Sequence, residues 1–547
     1  MVSAAALAQT PPDAGSLLQQ LDREHPSPLP GKLTPAKPAE PPALKSEGMT
    51  VTVKKFQFAG NTLLSSEQLA AAVAPFLERP LDFRQLQAAA VAVANAYREN
   101  GWVVRAYLPE QDIRDGIVII QVVEAIFAGV RFDGRPTQRV AKETVARYFT
   151  RQSTGQALNP DALDRALLLA DDLPGVIVGG SLQEGARTGE TALAVTLRDE
   201  ALIVGSIAAD NSGSRSTGSE RLAANLNLQS PFGFGDLLTA QAIVSEGSNY
   251  LRLAATAPVG TDGWRAGANA SYLDYRLVAT EFTALEAQGN SSTAGLEASY
   301  PLIRSRLQNL YFNSAFDHKE FDNESAGSTT TRYQLDVLTL GLAGNRFDNW
   351  GGGGANSGSL DLVAGKLDLD GSPNQAADAL TTRTAGDYAK LRYAFSRQQV
   401  IRENLSLYAA LAGQLASKNL DSAEKFYLGG PYGVRAYPTN EGGGAEGQLF
   451  NLELRWRLPE GWSLTGFYDR GHVTVNRKNR FAGAPTLNDY SLQGAGLSVG
   501  WQTRFGPSFK ATWARRIGSN PNPTATGQDQ DGSLTKDRLW LTASLPF

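Results

Sequence analysis

Two charged residues in the C-terminal part of the sequence are the best placed to do chemistry, Arg435 and Asp469. Arg435 lies within the glycine-rich segment Phe426–Gly447, and Asp469 lies in Leu464–Val473, where apolar and polar positions alternate. The planar guanidinium of an arginine donates two parallel hydrogen bonds to a carboxylate. If the glycine-rich segment folds back onto the strand that carries Asp469, the two side chains form an ion pair that latches a loop. Two unrelated solvated charges are the alternative.

The segment that carries Arg435 connects two alternating stretches, Leu405–Leu415 and Gln448–Leu458. With its flanks it spans roughly 30 residues, whereas structureless loops in compact domains rarely exceed about 12–15 residues and longer ones are usually functional. Glycines near both of its ends permit sharp turns. We therefore expect a functional loop that folds into the interior of the structure and brings Arg435 to Asp469.

The other candidates for chemistry are weak. The histidines His25, His318 and His472 are far apart and lack the spacing of metal ligands. A membrane-facing lipase would need His318 beside a nucleophilic serine, and no serine stands out. The sequence lacks cysteine and has no phosphate-binding glycine loop followed by Lys-Ser or Lys-Thr. We predict no enzymatic activity, no cofactor and no bound metal.

The composition narrows the class of protein that must position these residues. The chain has 547 residues with a formal net charge of −4 and no long basic run, which argues against a nucleic-acid partner. Hydrophobic residues make up 42%, enough to form a core. No stretch approaches the roughly 18 apolar residues of a membrane-spanning helix. Membrane-spanning strands alternate over about ten residues and escape this criterion.

From about Leu202 to Phe547 the sequence alternates with a period of two. In Asn451–Leu458 three leucines and Trp456 share one face, while an asparagine, a glutamate and two arginines share the other. Lipid offers no partners to backbone groups, so strands that face it must close into a barrel. We predict a transmembrane β-barrel over residues 201–547 with about 16 antiparallel strands. A soluble β-sandwich or propeller array is the alternative.

The region before the barrel predicts two small α+β domains. Residues 49–125 and 126–200 each give the order β-α-α-β-β, with turn signals such as Gly60-Asn61 between the elements. Two such units in succession form an internal structural repeat. We expect two domains of the same fold ahead of the barrel.

The N-terminus predicts a mobile element. Residues 9–26 form a short amphipathic helix with Ser16 as a candidate N-cap and an apolar face made of Leu17, Leu18 and Leu21. A helix this short is unstable alone, so it must dock elsewhere in the protein. Residues 27–48 are rich in proline and predict a semi-rigid linker. Residues 1–8 end in Ala6-Leu7-Ala8, and we interpret them as the remnant of a signal peptide.

This arrangement resembles the two-partner secretion transporters, also called haemolysin secretion/activation or TpsB proteins. Members have an N-terminal plug helix, a linker, two POTRA domains and a 16-stranded outer-membrane barrel, an order that matches the whole chain. Their long extracellular loop folds into the barrel and carries a Val-Arg-Gly-Tyr tetrad. The similar residues here are Gly429, Gly430, Val434, Arg435, Ala436 and Tyr437. Ala436 stands where glycine is usual.

Three further motifs carry the resemblance. The inward strand motif of the family, whose aspartate contacts the loop arginine, is similar to Gly466, Phe467, Asp469 and Gly471. The first-strand motif of the family is similar to Asp210, Asn211, Gly213, Thr217 and Gly218. The C-terminal Phe547 resembles the signal that the outer-membrane assembly machinery reads.

The resemblance implies an outer-membrane protein of a Gram-negative bacterium that exports one large partner protein, of adhesin, haemolysin or toxin type, without nucleotide. The partner would carry an N-terminal two-partner-secretion domain. POTRA domains in the periplasm would bind it unfolded, the lumen would conduct it, and the plug helix and the loop would control the pore. Membrane lipids and the assembly machinery are further implied partners. A barrel-assembly factor and a passive porin are the alternatives; the former usually has more POTRA domains and no plug helix, and the latter has no periplasmic domains.

Overall fold

The computed structural model describes residues 11–24, 50–111, 113, 115–187 and 189–547, which form two compact units. One unit contains the N-terminal helix α1 (Ala14–Glu24) together with the barrel, and the other contains the α+β region up to residue 200. The predicted signal-peptide remnant (residues 1–8) and proline-rich linker (residues 27–48) lie outside the described residues.

The first α+β domain has the predicted β-α-α-β-β order, preceded by an additional short strand and interrupted by another. Its elements are β1 (Thr50–Thr52), β2 (Lys55–Ala59), α2 (Ser66–Val73), β3 (Pro80–Asp82), α3 (Phe83–Glu99), β4 (Val104–Tyr107) and β5 (Ile117–Glu124). The main sheet has the order β2-β5-β4, and β1 pairs with β3 in a separate ribbon. Ser65 and Asp82 begin the two helices with capping boxes, in which each side chain accepts a backbone N–H three residues on.

The second domain repeats this plan. Its elements are β6 (Ile126–Asp133), α4 (Lys142–Ala146), α5 (Pro160–Asp171), β7 (Val176–Glu184) and β8 (Glu190–Asp199). The sheet order is β6-β8-β7, with the first pair parallel and the second antiparallel, as in the first domain. Helix α5 begins where Asn159 accepts the backbone N–H of Ala162 and Pro160 occupies the first helical position.

The C-terminal region is a closed antiparallel barrel of 16 strands. The first strands are β9 (Ile203–Asp210), β10 (Arg221–Gln229), β11 (Leu237–Ser245), β12 (Ser248–Val259), β13 (Trp264–Arg276), β14 (Gln288–Arg304), β15 (Gln308–Ser325), β16 (Ser328–Asp348) and β17 (Gly354–Asp368). After helix α6 (Gln375–Leu380) come β18 (Gly386–Arg402) and β19 (Leu405–Ala416). Next come β20 (Phe426–Tyr427) and β21 (Gly443–Gly444), which pair with each other in a separate two-stranded sheet and are not part of the barrel wall. The last strands of the wall are β22 (Glu446–Arg457), β23 (Trp462–Thr474), β24 (Asp489–Gln502), β25 (Ser508–Arg516) and β26 (Asp537–Pro546). The predicted fold class and strand number are confirmed.

Short 3₁₀ turns occur in both regions. In the α+β domains they are Ala74–Phe76 and Arg147–Phe149, and in the barrel they are Arg215–Thr217, Thr280–Leu285, Trp350–Gly352, Ser422–Glu424 and Pro459–Gly461. No helix in the described part of the chain is long and apolar enough to cross a membrane.

The two ends of the barrel differ. At one end, where β9 begins after the α+β domains, the strands are joined by short turns; we call it the short-turn end. The opposite end, the loop end, carries the longer connections. Trp462 stacks on Trp501 near the short-turn end, with 5.3 Å between ring centroids, and Trp501 stacks on Phe509. Aromatic side chains on the outer wall near an end are typical of membrane barrels, where they lie at the lipid–water interface.

The seam that closes the barrel is short. Strands β26 and β9 are paired only from Thr542 opposite Asp210 to Pro546 opposite Ser206, whereas β15 and β16 are paired along almost their whole length. Proline has no backbone N–H to donate to a ladder, so Pro546 is placed where a strand ends. The seam is therefore the weakest inter-strand junction of the wall.

Two elements fill the lumen. One is α1, in which every residue from Ala14 to Leu21 is buried, including its polar side chains. The other is the connection between β19 and β22, residues 417–445, which we call the inward loop. A helix that is buried all round must be enclosed by protein on every side. Asp13 rather than Ser16 is the N-cap of α1, because the backbone N–H of Ser16 donates to the Asp13 carboxylate at 2.8 Å; the predicted cap was wrong by one turn.

Candidate functional site: the latch of the inward loop

The alternation of β23 places Asp469 on the inner face of the barrel. Phe467, Asp469 and Gly471 are buried, whereas the neighbouring Arg470 and His472 are exposed. Asp469 has no solvent-exposed surface. A buried carboxylate must be compensated by a cation or by several hydrogen bonds, and the inward loop supplies both.

Arg435 of the inward loop binds Asp469 in a bidentate manner. Its Nε donates to Oδ2 at 2.8 Å and its Nη2 donates to Oδ1 at 2.6 Å. The backbone N–H of Arg435 donates to Oδ2 as well, at 3.1 Å, and the side-chain amide of Asn451 donates to Oδ1 at 2.9 Å. Four donors thus converge on one carboxylate, so its lone pairs are satisfied without water.

A second carboxylate, Glu453 on β22, completes the arrangement. Nη1 of Arg435 donates to Oε1 of Glu453 at 2.7 Å, and Nε of Arg455 donates to Oε2 of the same residue at 2.7 Å. Two cations and two anions therefore alternate along one line, and their charges cancel. We call Arg435, Asp469 and Glu453 the latch. Glu453 was missed as a partner in the sequence, although its position on the polar face of β22 was a usable signal.

Aromatic side chains enclose the latch. The guanidinium carbon of Arg435 lies 3.5 Å from the centroid of the Phe467 ring, which is cation–π geometry. Trp540 of β26 donates its indole N–H to the carbonyl oxygen of Arg435 at 2.8 Å. Tyr437 packs under Arg516, whose guanidinium carbon is 4.2 Å from the ring centroid. These contacts fix the loop backbone against the neighbouring strands β23, β25 and β26.

Small residues let the loop approach the wall. A Cβ atom on Gly494 would lie 2.5 Å from the Cβ of Ala436, and one on Gly471 would lie 2.7 Å from a methyl of Leu428. Ala436 is fully buried and is not among the residues with positive φ, so its backbone conformation does not require glycine. The departure from the usual glycine is therefore accommodated.

The loop is also organised internally. The backbone N–H of Val434 donates to the carbonyl of Leu428 at 2.7 Å, and that of Gly430 donates to the carbonyl of Tyr437. Gly430 has a φ of 101°, in the region that favours glycine. Gly429 is packed against the backbone of Pro438. The residues Gly429, Gly430, Val434, Arg435, Ala436 and Tyr437 thus form one compact hairpin-like tip.

A second carboxylate holds the base of the inward loop. Glu441 is buried, and its two oxygens accept hydrogen bonds from the Asn520 side chain and the Gln530 backbone, each at 2.8 Å. Burial raises the pKa of Glu441 to about 7, and the nearby Asp529 and Asp531 add to the rise while the two hydrogen bonds oppose it. The connection between β25 and β26 therefore clamps the loop from the side opposite the latch.

Helix α1 is docked beside the inward loop by leucine packing and by polar contacts, several of which are longer than those of the latch. Its first N–H, on Ala14, donates to Asn323 at 2.9 Å, and Ser422 of the inward loop donates to Asp13 at 2.7 Å. Longer contacts include the hydrogen bonds from Asn440 to Ser16 and from Gln20 to the first loop of the barrel, of 3.4–3.5 Å, and the ion pair of Asp22 with Lys319, at 3.9 Å. The leucines on its apolar face lie in one buried cluster with lumen residues of β12 to β18.

With this geometry in place, comparison with known proteins is decisive. The sequence model of the haemolysin secretion/activation protein family (ShlB/FhaC/HecB) matches residues 189–503, more than half of the chain. The chain belongs to this family. A second model, of the ShlB-type POTRA domain, matches residues 51–125, which cover the first α+β domain.

Two transporters are similar to this family member over three quarters or more of its length. The heme/hemopexin transporter protein HuxB of Haemophilus influenzae is 26% identical over 519 residues, covering 91% of this chain and 90% of the relative. The outer membrane transporter CdiB of Dickeya dadantii is 22% identical over 428 residues, covering 76% and 74%. The protein is accordingly an outer-membrane transporter of a partner protein, and its POTRA domains lie in the periplasm.

Solved structures share the fold. CdiB from Escherichia coli superposes with a TM-score of 0.71 at 19% identity, covering 98% of this chain and 100% of that one. CdiB from Acinetobacter baumannii gives 0.65 at 16% identity, with 97% of both chains covered. Because β9 follows the POTRA domains directly, the short-turn end of this family member is the periplasmic end and the loop end is extracellular.

The first-strand motif of this transporter lies at the seam. The Asn211 side chain donates to the carbonyl of Leu539 and accepts the N–H of Leu541, so it extends the pairing of β9 with β26 by one more rung. Asp210 accepts from Arg221 at 3.0 Å. A Cβ on Gly213 would lie 2.4 Å from the carbonyl of Gly218, which has a φ of 98°. The motif thus closes the seam and shapes the first loop.

Phe547 and Thr217 complete the set of predicted residues. Phe547 exchanges two backbone hydrogen bonds with Gly205, each of 2.9 Å, and its ring covers the position where a Cβ of that glycine would lie. Thr217 accepts hydrogen bonds from Ser245 and from the Gly247 backbone through its carbonyl. These residues of the first-strand motif and the C-terminus are therefore separate from the latch. Of the motif on β23, Asp469 belongs to the latch, and Gly466, Phe467 and Gly471 lie beside it on the same strand.

The described residues contain no group of three or more His, Cys, Asp or Glu side chains that could hold a metal ion. His318 donates to or accepts from Asp336 at 2.8 Å on the barrel wall, and His472 contacts Ser491 at 3.0 Å. The side chains of the latch interact through ion pairs, hydrogen bonds and packing contacts around the inward loop.

Proposed function

We propose that this transporter exports one large partner protein from the periplasm to the cell surface through the barrel lumen, without nucleotide. The observation that carries the proposal is that the closed lumen holds two distinct elements, a short helix packed through its leucines and a loop latched by buried charges. A passive channel needs neither, whereas a conduit that must open for a polypeptide and otherwise stay closed needs at least one removable occupant.

We propose that helix α1 is the removable plug. It has only 11 residues, too few for a stable isolated helix, so its structure depends on docking. Burying its three leucines stabilises docking by about 1.5–3 kcal/mol each, which the cost of ordering the helix offsets in part. Such a balance permits the helix to leave the lumen on the timescale of transport.

We propose that the POTRA domains receive the unfolded partner by strand addition. Among the described residues, β4 and β7 are each paired in their sheets on one side only, so each presents an open edge of backbone donors and acceptors. An extended chain binds to such an edge through main-chain hydrogen bonds. The partner then threads through the lumen, and folding outside the cell prevents each exported segment from sliding back.

We propose that the latch keeps the inward loop in one register while the partner passes. The buried four-donor carboxylate Asp469 cannot be left unpaired without a cost of several kcal/mol, so the loop tip stays attached to β23. The pore would then open by departure of α1, with the loop forming a fixed part of the conduit wall.

The alternatives to an exporter are a barrel-assembly factor and a passive porin. The barrel-assembly protein BamA from Haemophilus ducreyi shares the fold, with a TM-score of 0.52 at 16% identity. Assembly factors usually carry more POTRA domains and lack a plug helix, and the two α+β domains and the docked α1 favour an exporter. Porins lack periplasmic domains. The exported partner is proposed to be of adhesin, haemolysin or toxin type, and Phe547 is proposed as the signal for insertion by the outer-membrane assembly machinery.

The decisive experiment compares the culture supernatant and the outer-membrane proteome with and without the gene. Loss of one large secreted protein, restored by the wild-type gene, supports the proposal and identifies the partner. Broad loss of many outer-membrane proteins would instead indicate an assembly factor. If a large secreted protein encoded next to this gene is expressed and neither the supernatant nor the outer-membrane proteome changes, export is contradicted.

A further inference from the structure

A cavity of about 610 Å³ lies inside the barrel between the tip of the inward loop and the periplasmic end. Its upper side is formed by Pro431, Tyr432 and Gly433, and its lower side reaches Gly461 and Gln502, which lie at periplasmic turns. We call it the vestibule. Its volume lies within the range of typical ligand pockets. A chain that enters from the periplasm reaches the vestibule before it reaches the latch.

The charges that line the vestibule do not balance. Arg435, Arg455 and Lys510 line it, and Glu453 is the one carboxylate among its lining residues. Even when Asp469, the buried partner of Arg435, is counted, three cations stand against two anions. The excess charge is that of Lys510, which forms no ion pair with any residue in the described part of the chain and is exposed to the cavity.

The vestibule holds its second accessible cation in a fixed orientation. The guanidinium carbon of Arg455 lies 3.9 Å from the centroid of the Tyr408 ring, and its Nη1 donates to Gln398 at 3.2 Å. Its side chain is 36% exposed, so the planar group keeps access to the cavity. A stacked guanidinium is already ordered, so it loses little freedom on binding a carboxylate.

The rest of the lining suits a polypeptide. Hydroxyl groups of Ser463, Thr465, Ser498 and Thr512 are present beside the cations, and hydroxyls both donate to and accept from backbone amides. Lipid headgroups are not the occupant, because the vestibule lies on the inner side of a closed wall.

We propose that the vestibule is a docking site for an acidic, extended segment of the exported protein, with Lys510 and Arg455 binding its carboxylates. The assignment rests on the proposed export function. The site would hold a segment of the partner at the entrance to the latched part of the lumen.

The test measures binding of fluorescent peptides to the full-length protein in lipid nanodiscs by anisotropy. The probes are peptides of alternating serine and aspartate, serine and asparagine, or serine and lysine. We expect the aspartate peptide to bind about tenfold more tightly than the asparagine peptide and the lysine peptide to bind least, with the preference shrinking as salt rises. Inorganic phosphate, added at a concentration equal to that of the peptide's carboxylates, should displace the aspartate peptide poorly.

Matched variants locate the site. Lys510→Ser should lower the affinity for the aspartate peptide about fivefold and Lys510→Arg should retain it. Arg457→Ser is the control, because Arg457 lies on the same strand as Arg455 but outside the vestibule and donates to the carbonyl of Glu403. The docking site would be overturned if all three peptides bound equally. It would also be overturned if Arg457→Ser lost as much affinity for the aspartate peptide as Lys510→Ser, or if inorganic phosphate displaced that peptide efficiently.

These outcomes are separate from those of the export experiment. If a preparation whose gene restores secretion of the partner shows no preference for aspartate, the docking site is refuted and the export function stands. If no secreted protein depends on the gene, the export function is refuted whatever the peptides do.

Discussion

Helix α1 and the inward loop occupy the same lumen, yet different chemistry holds them. The inward loop is attached through Arg435, which makes three side-chain hydrogen bonds of 2.6–2.8 Å to the buried Asp469 and the partly buried Glu453. Helix α1 is attached through apolar packing and through polar contacts that include hydrogen bonds of 3.4–3.5 Å and an ion pair of Asp22 with Lys319 at 3.9 Å. Removing a buried partner of an ion pair costs several kcal/mol, whereas a hydrogen bond of 3.5 Å contributes little.

This contrast explains how one barrel can be both closed and conductive. Buried charges give the inward loop a single register, since any displacement leaves charge uncompensated. Leucine packing has no such penalty for partial motion, because the apolar effect is non-directional. The loop is suited to being a permanent part of the wall and the helix to being a gate.

The largest expected effect comes from breaking the latch. Arg435→Ala leaves the buried Asp469 without its cation, at a cost of about 3–5 kcal/mol, while Glu453 keeps its ion pair with Arg455. We expect export of the partner to fall at least about tenfold, while the barrel still inserts and migrates as a folded, heat-modifiable band. The measurement is secreted partner per unit of folded transporter.

The control for this variant is Arg457→Ala, which removes an exposed arginine of β22, the strand that carries Glu453. A transporter with this change should export the partner normally. A double variant with Asp469→Ala tests whether the two residues act as a pair, since it should be no worse than Arg435→Ala alone. Normal export by Arg435→Ala would show that the inward loop needs no latch.

The next effect concerns the gate. Deleting residues 12–45 removes α1, so ion conductance across planar bilayers should rise severalfold while export is largely retained. Leu17→Asp, which places a charge at a buried position of the same helix, should reproduce the rise without shortening the chain. Conductance that stays at the wild-type level in both variants would show that α1 does not occlude the pore.

A smaller effect is a pH dependence of the gate. Burial raises the pKa of Asp421 to about 6, and the nearby Asp13 at the start of α1 adds to the rise; hydrogen bonds from Ala423 and Tyr333 and the charge of Lys425 oppose it. When α1 leaves, Asp421 loses the Asp13 charge, and its pKa falls toward the usual value. The docked state therefore binds more protons, and docking strengthens as the pH falls through about 6.

The measurement is channel conductance between about pH 7.5 and about pH 5. We expect the open fraction to fall toward acid in the wild type and to vary less in Asp421→Asn, which keeps the shape of the site without the charge. A conductance that rises toward acid would reverse the assigned sign.

The sequence was sufficient for the fold and for one half of the latch. Period-two alternation predicted the strands and the inward orientation of Asp469, since burial follows alternation wherever a wall separates lipid from lumen. It did not predict Glu453 as the second partner of Arg435, because several polar side chains share the inner face and only the position of the loop selects one. The contact of Ser422 with Asp13 was equally invisible, because it joins parts of the chain that are remote in sequence.

The smallest expected effect is a compensating exchange of two small residues at the latch. Gly494→Ala would place a Cβ only 2.5 Å from the Cβ of Ala436. Both Cβ atoms are bonded directly to the backbone, so neither can move away by a side-chain rotation. The single variant should therefore displace the loop tip and lower export.

Adding Ala436→Gly removes the opposing methyl and restores the glycine usual in the family. Ala436 does not need a positive φ, so the exchange costs only the added flexibility of glycine, about 0.5–1 kcal/mol. Export by the double variant should return close to the wild-type level, measured against Gly494→Ala alone. If the double variant is as defective as the single one, the loop tip does not pack against β24 during export, and the latch would have to release in each transport cycle as the helix does.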